Sequence, residues 1–245
     1  MTRSNSLLDF YNAEGLRKER YASAKFWEKR YHNKRLEIIQ MLLRSNIFSM
    51  CNSFADVGCG TGEYLKFSRE FIDDVDGVDL SKEYLKRCKQ WKPDNLTSAD
   101  VRFLPFKDCA YDCVLCSEVI EHVNEIDSSI NEVLRIARRF AVFSTPNQGL
   151  IRLVFSRFAR NVVDQVDSKV GHVSIMRFYE LVGRMPKHGW KICTAFTEEV
   201  FPPSLDDLGF PRVATPLIRA LEIGSDLLLP TLGSISFVVL QREIV

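Results

Sequence analysis

Phe54-Ala-Asp-Val-Gly-Cys-Gly-Thr-Gly-Glu63 is the stretch on which the reading of this chain turns. Phe54 to Val57 make an apolar strand pattern, and Gly58, Gly60 and Gly62 follow at alternate positions. From Glu63 onward, Tyr64, Leu65 and Phe67 have the spacing of a helix packed on a sheet. A strand that breaks into glycines and resumes as a helix is expected to offer free backbone N–H groups to a ligand. The ligand can come close because no Cβ stands in its way. Gly58, Cys59, Gly60 and Gly62 are therefore candidate cofactor contacts. The spacing is G-x-G-x-G, one residue shorter than the G-x-G-x-x-G of dinucleotide sites. An acid, Asp56, stands two residues before the first glycine.

Outward from this turn, strand and helix patterns alternate, which predicts a doubly wound α/β sheet with ligands at the carboxyl ends of its strands. Asp74-Val-Asp-Gly-Val-Asp-Leu-Ser81 reads as a second strand ending in Asp79, with Leu80 beside it and Ser81 as the N-cap of a helix. A carboxylate at Asp79 can accept two hydrogen bonds from a ribose diol. Leu96 to Ala99 predicts a third strand, ending in Asp100-Val-Arg-Phe-Leu-Pro-Phe-Lys-Asp108. Tyr111 to Cys116 predicts a fourth, leading into Ser117-Glu-Val-Ile-Glu-His-Val123 and a helix over about 126–138. Phe140 to Asn147, stopped by Pro146, reads as strand five. Gly189 to Phe196 reads as strand six and Ile235 to Gln241 as the last.

The acid before G-x-G-x-G, Asp79 after strand two and the Asp100…Leu-Pro-Phe segment together resemble the class I, Rossmann-like S-adenosylmethionine (SAM)-dependent methyltransferases of the type-11-like group. The resemblance covers residues 53–197 and the last strand. It implies a seven-stranded, mostly parallel sheet with an antiparallel last strand, and SAM as cofactor. It implies that Asp100 takes the adenine amine and the Val101 amide a ring nitrogen, and that Asp56, Gly58, Cys59, Gly60, Gly62, Asp79, Leu80, Ser117 and Glu118 complete the cofactor site. Glu118-x-x-Glu121-His122 resembles a segment that holds a divalent cation in ubiquinone-pathway and small-RNA O-methyltransferases, with His172 as a downstream histidine. Spacing adds that one helical turn would set Glu118 beside Glu121 and His122. The alternatives are Glu121 and His122 as a metal-free acid–base pair, or a helix-start acid pair with a satisfied histidine.

The expected organisation is an N-terminal helical cap over 1–48 and a SAM-binding domain over 49–245, with 198–234 inserted as a lid or connection before the last strand. Residues 1–44 hold ten Lys/Arg against five Asp/Glu, and Arg135 to Arg160 holds six arginines and no acid. These read as solvated faces or as a cradle for an anionic acceptor. Leu217 to Leu229 is apolar enough for a lid helix or a lipid-contacting one. A net charge of +1 argues for no nucleic-acid partner. With no apolar run of membrane-spanning length and no signal-like start, the expected location is the cytoplasm. The seven cysteines are expected to be reduced, with Cys113, Cys116 and Cys193 buried in strands. The chain is thus expected to be an enzyme that moves a methyl group from SAM to an acceptor, by preference an oxygen of a small or lipid-like molecule. A SAM-binding module without catalysis, an RNA 2′-O-methyltransferase-like activity and, less favoured, a nicotinamide oxidoreductase are the other readings.

Overall fold

Seven stretches that read as strands in the sequence become seven strands. The computed structural model describes residues 25–149, 171–186, 188–198, 216 and 233–243. In chain order its elements are helix α1 (Phe26–Leu42), β1 (Ser53–Val57), α2 (Glu63–Ser68), β2 (Asp74–Asp79), α3 (Lys82–Cys88), β3 (Asn95–Ser98), β4 (Tyr111–Ser117), α4 (Ile126–Ile136), β5 (Ala137–Pro146), α5 (Phe178–Arg184), β6 (Trp190–Glu198) and β7 (Ile235–Arg242). The sheet order is β3-β2-β1-β4-β5-β7-β6. β1 pairs in parallel with β2 and β4, β2 with β3 likewise, and β7 runs antiparallel to β6. The seven-stranded sheet with its reversed last strand is the fold expected from the sequence.

Two compact units share β5. The first holds the described residues 36–119 and 127–142. Every position of β1 and of β4 is buried in it, as expected for inner parallel strands covered on both faces. The apolar stripe of α4 (Ile130, Val133, Leu134) is buried too, each side chain contributing about 1.5–3 kcal/mol. Ser81 caps α3, its hydroxyl accepting from the Tyr84 N–H at 3.3 Å. The second unit holds 25–35, 120–126 and the described residues from 143 on. In it the Phe196 and Phe237 rings stack at 5.2 Å across the β6–β7 pair.

Two expectations need correction. The helix expected to reach Arg138 ends at Ile136, and β5 begins at Ala137. Arg138 is drawn to Asp112 at 2.9 Å and Arg139 to the Met50 carbonyl, which holds this segment extended. Cys193 is exposed rather than buried. The β6–β7 register shifts between Ile192 and Thr194, and this bulge turns Cys193 out of the ladder. Residues 1–24, the Arg152, Arg157 and Arg160 positions and the 217–229 segment lie outside the described residues.

Candidate active site

The glycine turn is built from the sheet outward. Gly58 and Cys59 both donate their N–H to the Val78 carbonyl, at 2.7 and 2.9 Å, and Gly62 donates to Cys59 at 2.8 Å. Gly60 donates to Asp79 Oδ2 at 2.9 Å, while Ser81 donates to Asp79 Oδ1 at 2.8 Å. The amides of these three glycines and Cys59 are therefore spent inside the protein, which corrects the expectation that they stay free for a ligand. What the glycines supply instead is shape. A Cβ on Gly58 would stand 2.1 Å from Val119 Cγ2, whereas one on Gly60, at φ +53°, would meet nothing within 4 Å. Gly60 thus leaves an open face directly beside the Asp79 carboxylate.

Burial pushes the Asp79 carboxyl up to about 6, its two backbone hydrogen bonds opposing that shift. Asp56 is 1% exposed near the end of β1. Behind the turn, the Cys88 thiol donates to the Gly60 carbonyl at 3.2 Å and the Trp91 indole to Thr61 at 2.9 Å. Neither was legible in sequence, because both lie about 30 residues away in another element.

Ala99 donates to the Asp79 carbonyl at 3.3 Å, which sets Asp100 on the strand tip next to that of Asp79. Burial pushes the Asp100 carboxyl up, but the Arg102 guanidinium and amide outweigh it and hold it below the usual carboxylate range. Val101 is buried and Leu80 half-buried. The loop that follows is braced from α4. Glu132 accepts the Leu104 N–H at 2.8 Å, and Arg135 donates to the Leu104 and Phe106 carbonyls at 2.9 and 2.7 Å. Arg135 also pairs with Glu132 and Asp108. Arg135, Arg138 and Arg139 are therefore engaged in holding the fold, not assembled as an anion site.

In the second unit, Glu121, His122 and His172 come together, one donor atom from each within 4.8 Å of the others. The Val173 and Ser174 amides donate to the Glu121 carbonyl at 2.9 and 3.0 Å, tying the His172 loop to Glu121. Thr145, at the end of β5, donates its hydroxyl to Glu121 Oε2 at 3.1 Å. His122 Nδ1 lies 3.0 Å from the Gly171 carbonyl, which can only accept, so Nδ1 carries the hydrogen. Nε2 then faces Glu121 Oε1 at 3.8 Å. Glu118 does not share a helical turn with these residues. It has φ +57°, and the short helix covers only Ile120–His122. The three-residue group omits it.

A family model described as a methyltransferase domain matches residues 55–144. Residues 55–144 thus match a methyltransferase domain. A protein of Methanocaldococcus jannaschii is 37% identical over 83 residues, 34% of this chain and 35% of its own. The ubiquinone biosynthesis O-methyltransferase of Bordetella parapertussis is 27% identical over 147 residues, 55% of this chain and 61% of its own. The chain thus spans less than two thirds of these curated relatives. Among solved structures, magnesium protoporphyrin IX methyltransferase from Synechocystis PCC 6803 with bound SAH has the same fold. Its TM-score is 0.69 at 16% identity, covering 98% of this chain and 100% of that one.

The described residues fit SAM as the cofactor of such a domain. An acceptor-only carboxylate stands at each of two neighbouring strand tips, and the glycine turn beside one of them has an open face. Two imidazoles and a carboxylate also fit a divalent first-row ion, whose bonds of about 2.0–2.2 Å would draw the three donors closer. Thr145, which orients Glu121, left only a weak trace in sequence, a hydroxyl at the carboxyl end of β5.

Proposed function

We propose that the protein transfers the sulfonium methyl of SAM to an oxygen of a small or lipid-like acceptor, by in-line displacement. The observation that carries the oxygen reading is the Glu121–His122–His172 group, in which His122 presents Nε2 toward a buried carboxylate. A neutral hydroxyl attacks poorly and needs its proton taken. As the acceptor oxygen bonds to the methyl carbon and the carbon–sulfur bond breaks, His122 Nε2 receives the hydroxyl proton, and S-adenosylhomocysteine (SAH) leaves. The Gly171 carbonyl, 3.0 Å from Nδ1, holds the imidazole, and the Glu121 carboxylate lies beside the positive charge that develops on it. Glu121, His122 and His172 would hold a divalent ion, which would supply Lewis-acid help in taking the proton from the acceptor hydroxyl. The relatives named as O-methyltransferases in two Bordetella species support an oxygen acceptor.

For the cofactor, the reading assigns the ribose diol to Asp79 and the adenine amine to Asp100. Ser117, Leu80, Val101 and the glycine turn form the rest of the wall, with Glu118 close in sequence. The stretches 1–48 and 198–234 are proposed as the cover on the acceptor side. The test is incubation with methyl-labelled SAM and cell extracts split into small-molecule, lipid, RNA and protein fractions. Label in the small-molecule or lipid fraction, stable as an ether or ester and lost with His122→Ala, is expected. Label confined to RNA or protein would overturn the acceptor class. A chelator arm separates the two versions: loss of transfer restored by Mn²⁺ or Zn²⁺ supports the ion, and indifference supports His122 as an unaided base.

A further inference from the structure

The three glycines of the turn meet different neighbours. The space a side chain would take at Gly58 is held by Val119, and that at Gly62 by Trp91, whose Cδ1 would lie 2.6 Å from a Cβ there. Gly60 alone of the three faces nothing within 4 Å. A residue so open, at φ +53° and without a Cβ, has little of its own to fix it. Side chains from other elements do so. The Gly60 amide is held by Asp79 at 2.9 Å, its carbonyl by the Cys88 thiol at 3.2 Å, and the next carbonyl, that of Thr61, by the Trp91 indole N–H at 2.9 Å. Three successive peptide planes are thus each pinned by a side chain. A thiol is a weak donor and an indole N–H a full one, so Trp91 is the stronger of the two pins behind the turn. Trp91 is itself fixed. It ends the short helical turn Lys89–Trp91 that follows α3, and the Lys66 ammonium of α2 lies 4.7 Å from its ring centre.

We propose that Trp91 is a positioning residue of the cofactor site: through the Thr61 carbonyl it holds the open face at Gly60 in the shape that receives the cofactor beside Asp79. This rests on the reading that the turn holds SAM. Trp91 acts on the backbone and not on the ligand. A turn already in its bound shape loses less conformational freedom when the ligand arrives, and the difference appears as affinity. The same contact gives Gly62 a second reason to be glycine, besides its φ of +84°: the indole occupies the place of its side chain.

The test is SAH affinity by calorimetry for the parent chain, Trp91→Phe and Lys66→Met, each with a thermal melt. SAH is used because its zwitterion carries no net charge for Lys66 to repel. Phe keeps a ring against Gly62 and Lys66 but has no N–H, whereas Met at position 66 removes the cation from the ring and leaves the indole bond. Trp91→Phe is expected to bind SAH roughly two- to ten-fold more weakly, the size of one net hydrogen bond. Lys66→Met is expected to bind SAH as the parent does, whatever either change does to the melt. Parent-like affinity in a folded Trp91→Phe overturns the proposal. So does an equal loss in Lys66→Met, which would make the effect one of packing. A second measurement stands even if Trp91→Phe does not fold. With ¹⁵N-labelled tryptophan the three indole N–H groups of the chain can be followed by NMR, that of Trp91 being the one Lys66→Met shifts most. SAH should slow its exchange with solvent, and a rate unchanged by saturating SAH overturns the proposal. Failure of the folded parent to bind SAH would instead overturn the cofactor reading on which it rests.

Discussion

Replacing Asp79 isolates the carboxylate that joins the glycine turn to the cofactor. Of its roughly four acceptor sites, two are taken, by the Gly60 and Ser81 amides at 2.9 and 2.8 Å, which leaves two for a ribose diol. Hydrogen bonds to a charged group are worth about 1.5–3 kcal/mol, so Asp79→Ala should weaken SAM binding roughly ten- to hundred-fold. Asp79→Asn should do no better, because its amide nitrogen would face one of the two backbone donors. The variant also leaves the Gly60 and Ser81 amides to water or to nothing, so a thermal melt must accompany the titration.

The pH dependence runs in two directions. Because burial raises the Asp79 pKa from 3.8 to about 6, the group adds to folding stability below 3.8 and loses that contribution as pH rises through 6. The diol needs the ionised form, so SAM affinity should fall as pH drops through 6, while the ligand-free chain does not lose stability from this residue. Calorimetry at pH 7.5 and 5.5 reads both effects. Parent-like SAM affinity in a folded Asp79→Ala at pH 7.5 would refute the reasoning.

Gly58→Ala should destabilise the fold by about 2–4 kcal/mol in a denaturant melt, since φ is +78° and its Cβ would stand 2.1 Å from Val119. Gly60→Val should cost less stability yet abolish SAM binding, because its side chain would fill the open face beside Asp79. Arg135→Ala frees two loop carbonyls and two carboxylates at once, and should lower both the melting temperature and SAM affinity. Deleting residues 1–20 should reduce turnover more than SAM affinity if that stretch covers the acceptor, with equal loss of both counting against a cover.

The inner strands β1 and β4 were legible because parallel strands buried on both faces read as apolar runs, whereas β2 and the partly exposed β3 were placed chiefly by the acids at and beyond their ends, Asp79 and Asp100. The start of β5 was not, since Ala137 to Arg139 fit a helical stripe as well as a strand. Pairing of Arg138 with Asp112 and of Arg139 with Met50, both distant in sequence, decides between them. The glycine turn was read correctly in place but not in its bonding. Spacing shows where chain direction reverses, whereas the partner of each N–H depends on how close β2 lies. Glu118 was grouped with Glu121 and His122 on helical spacing, and its positive φ separates it from their turn. Arg102 carried a sequence signal that went unused, an opposite charge two residues beyond Asp100 in a turn.

The central claim is that the turn at Gly58–Gly62 with Asp79 holds SAM and not a dinucleotide. Equilibrium dialysis of the full chain against labelled SAM, with labelled NAD(H) in parallel, tests it most directly. The account predicts one saturable SAM site per chain in the micromolar range, lost in folded Gly60→Val, and no saturable binding of NAD(H). Saturable NAD(H) binding with none for SAM would contradict it.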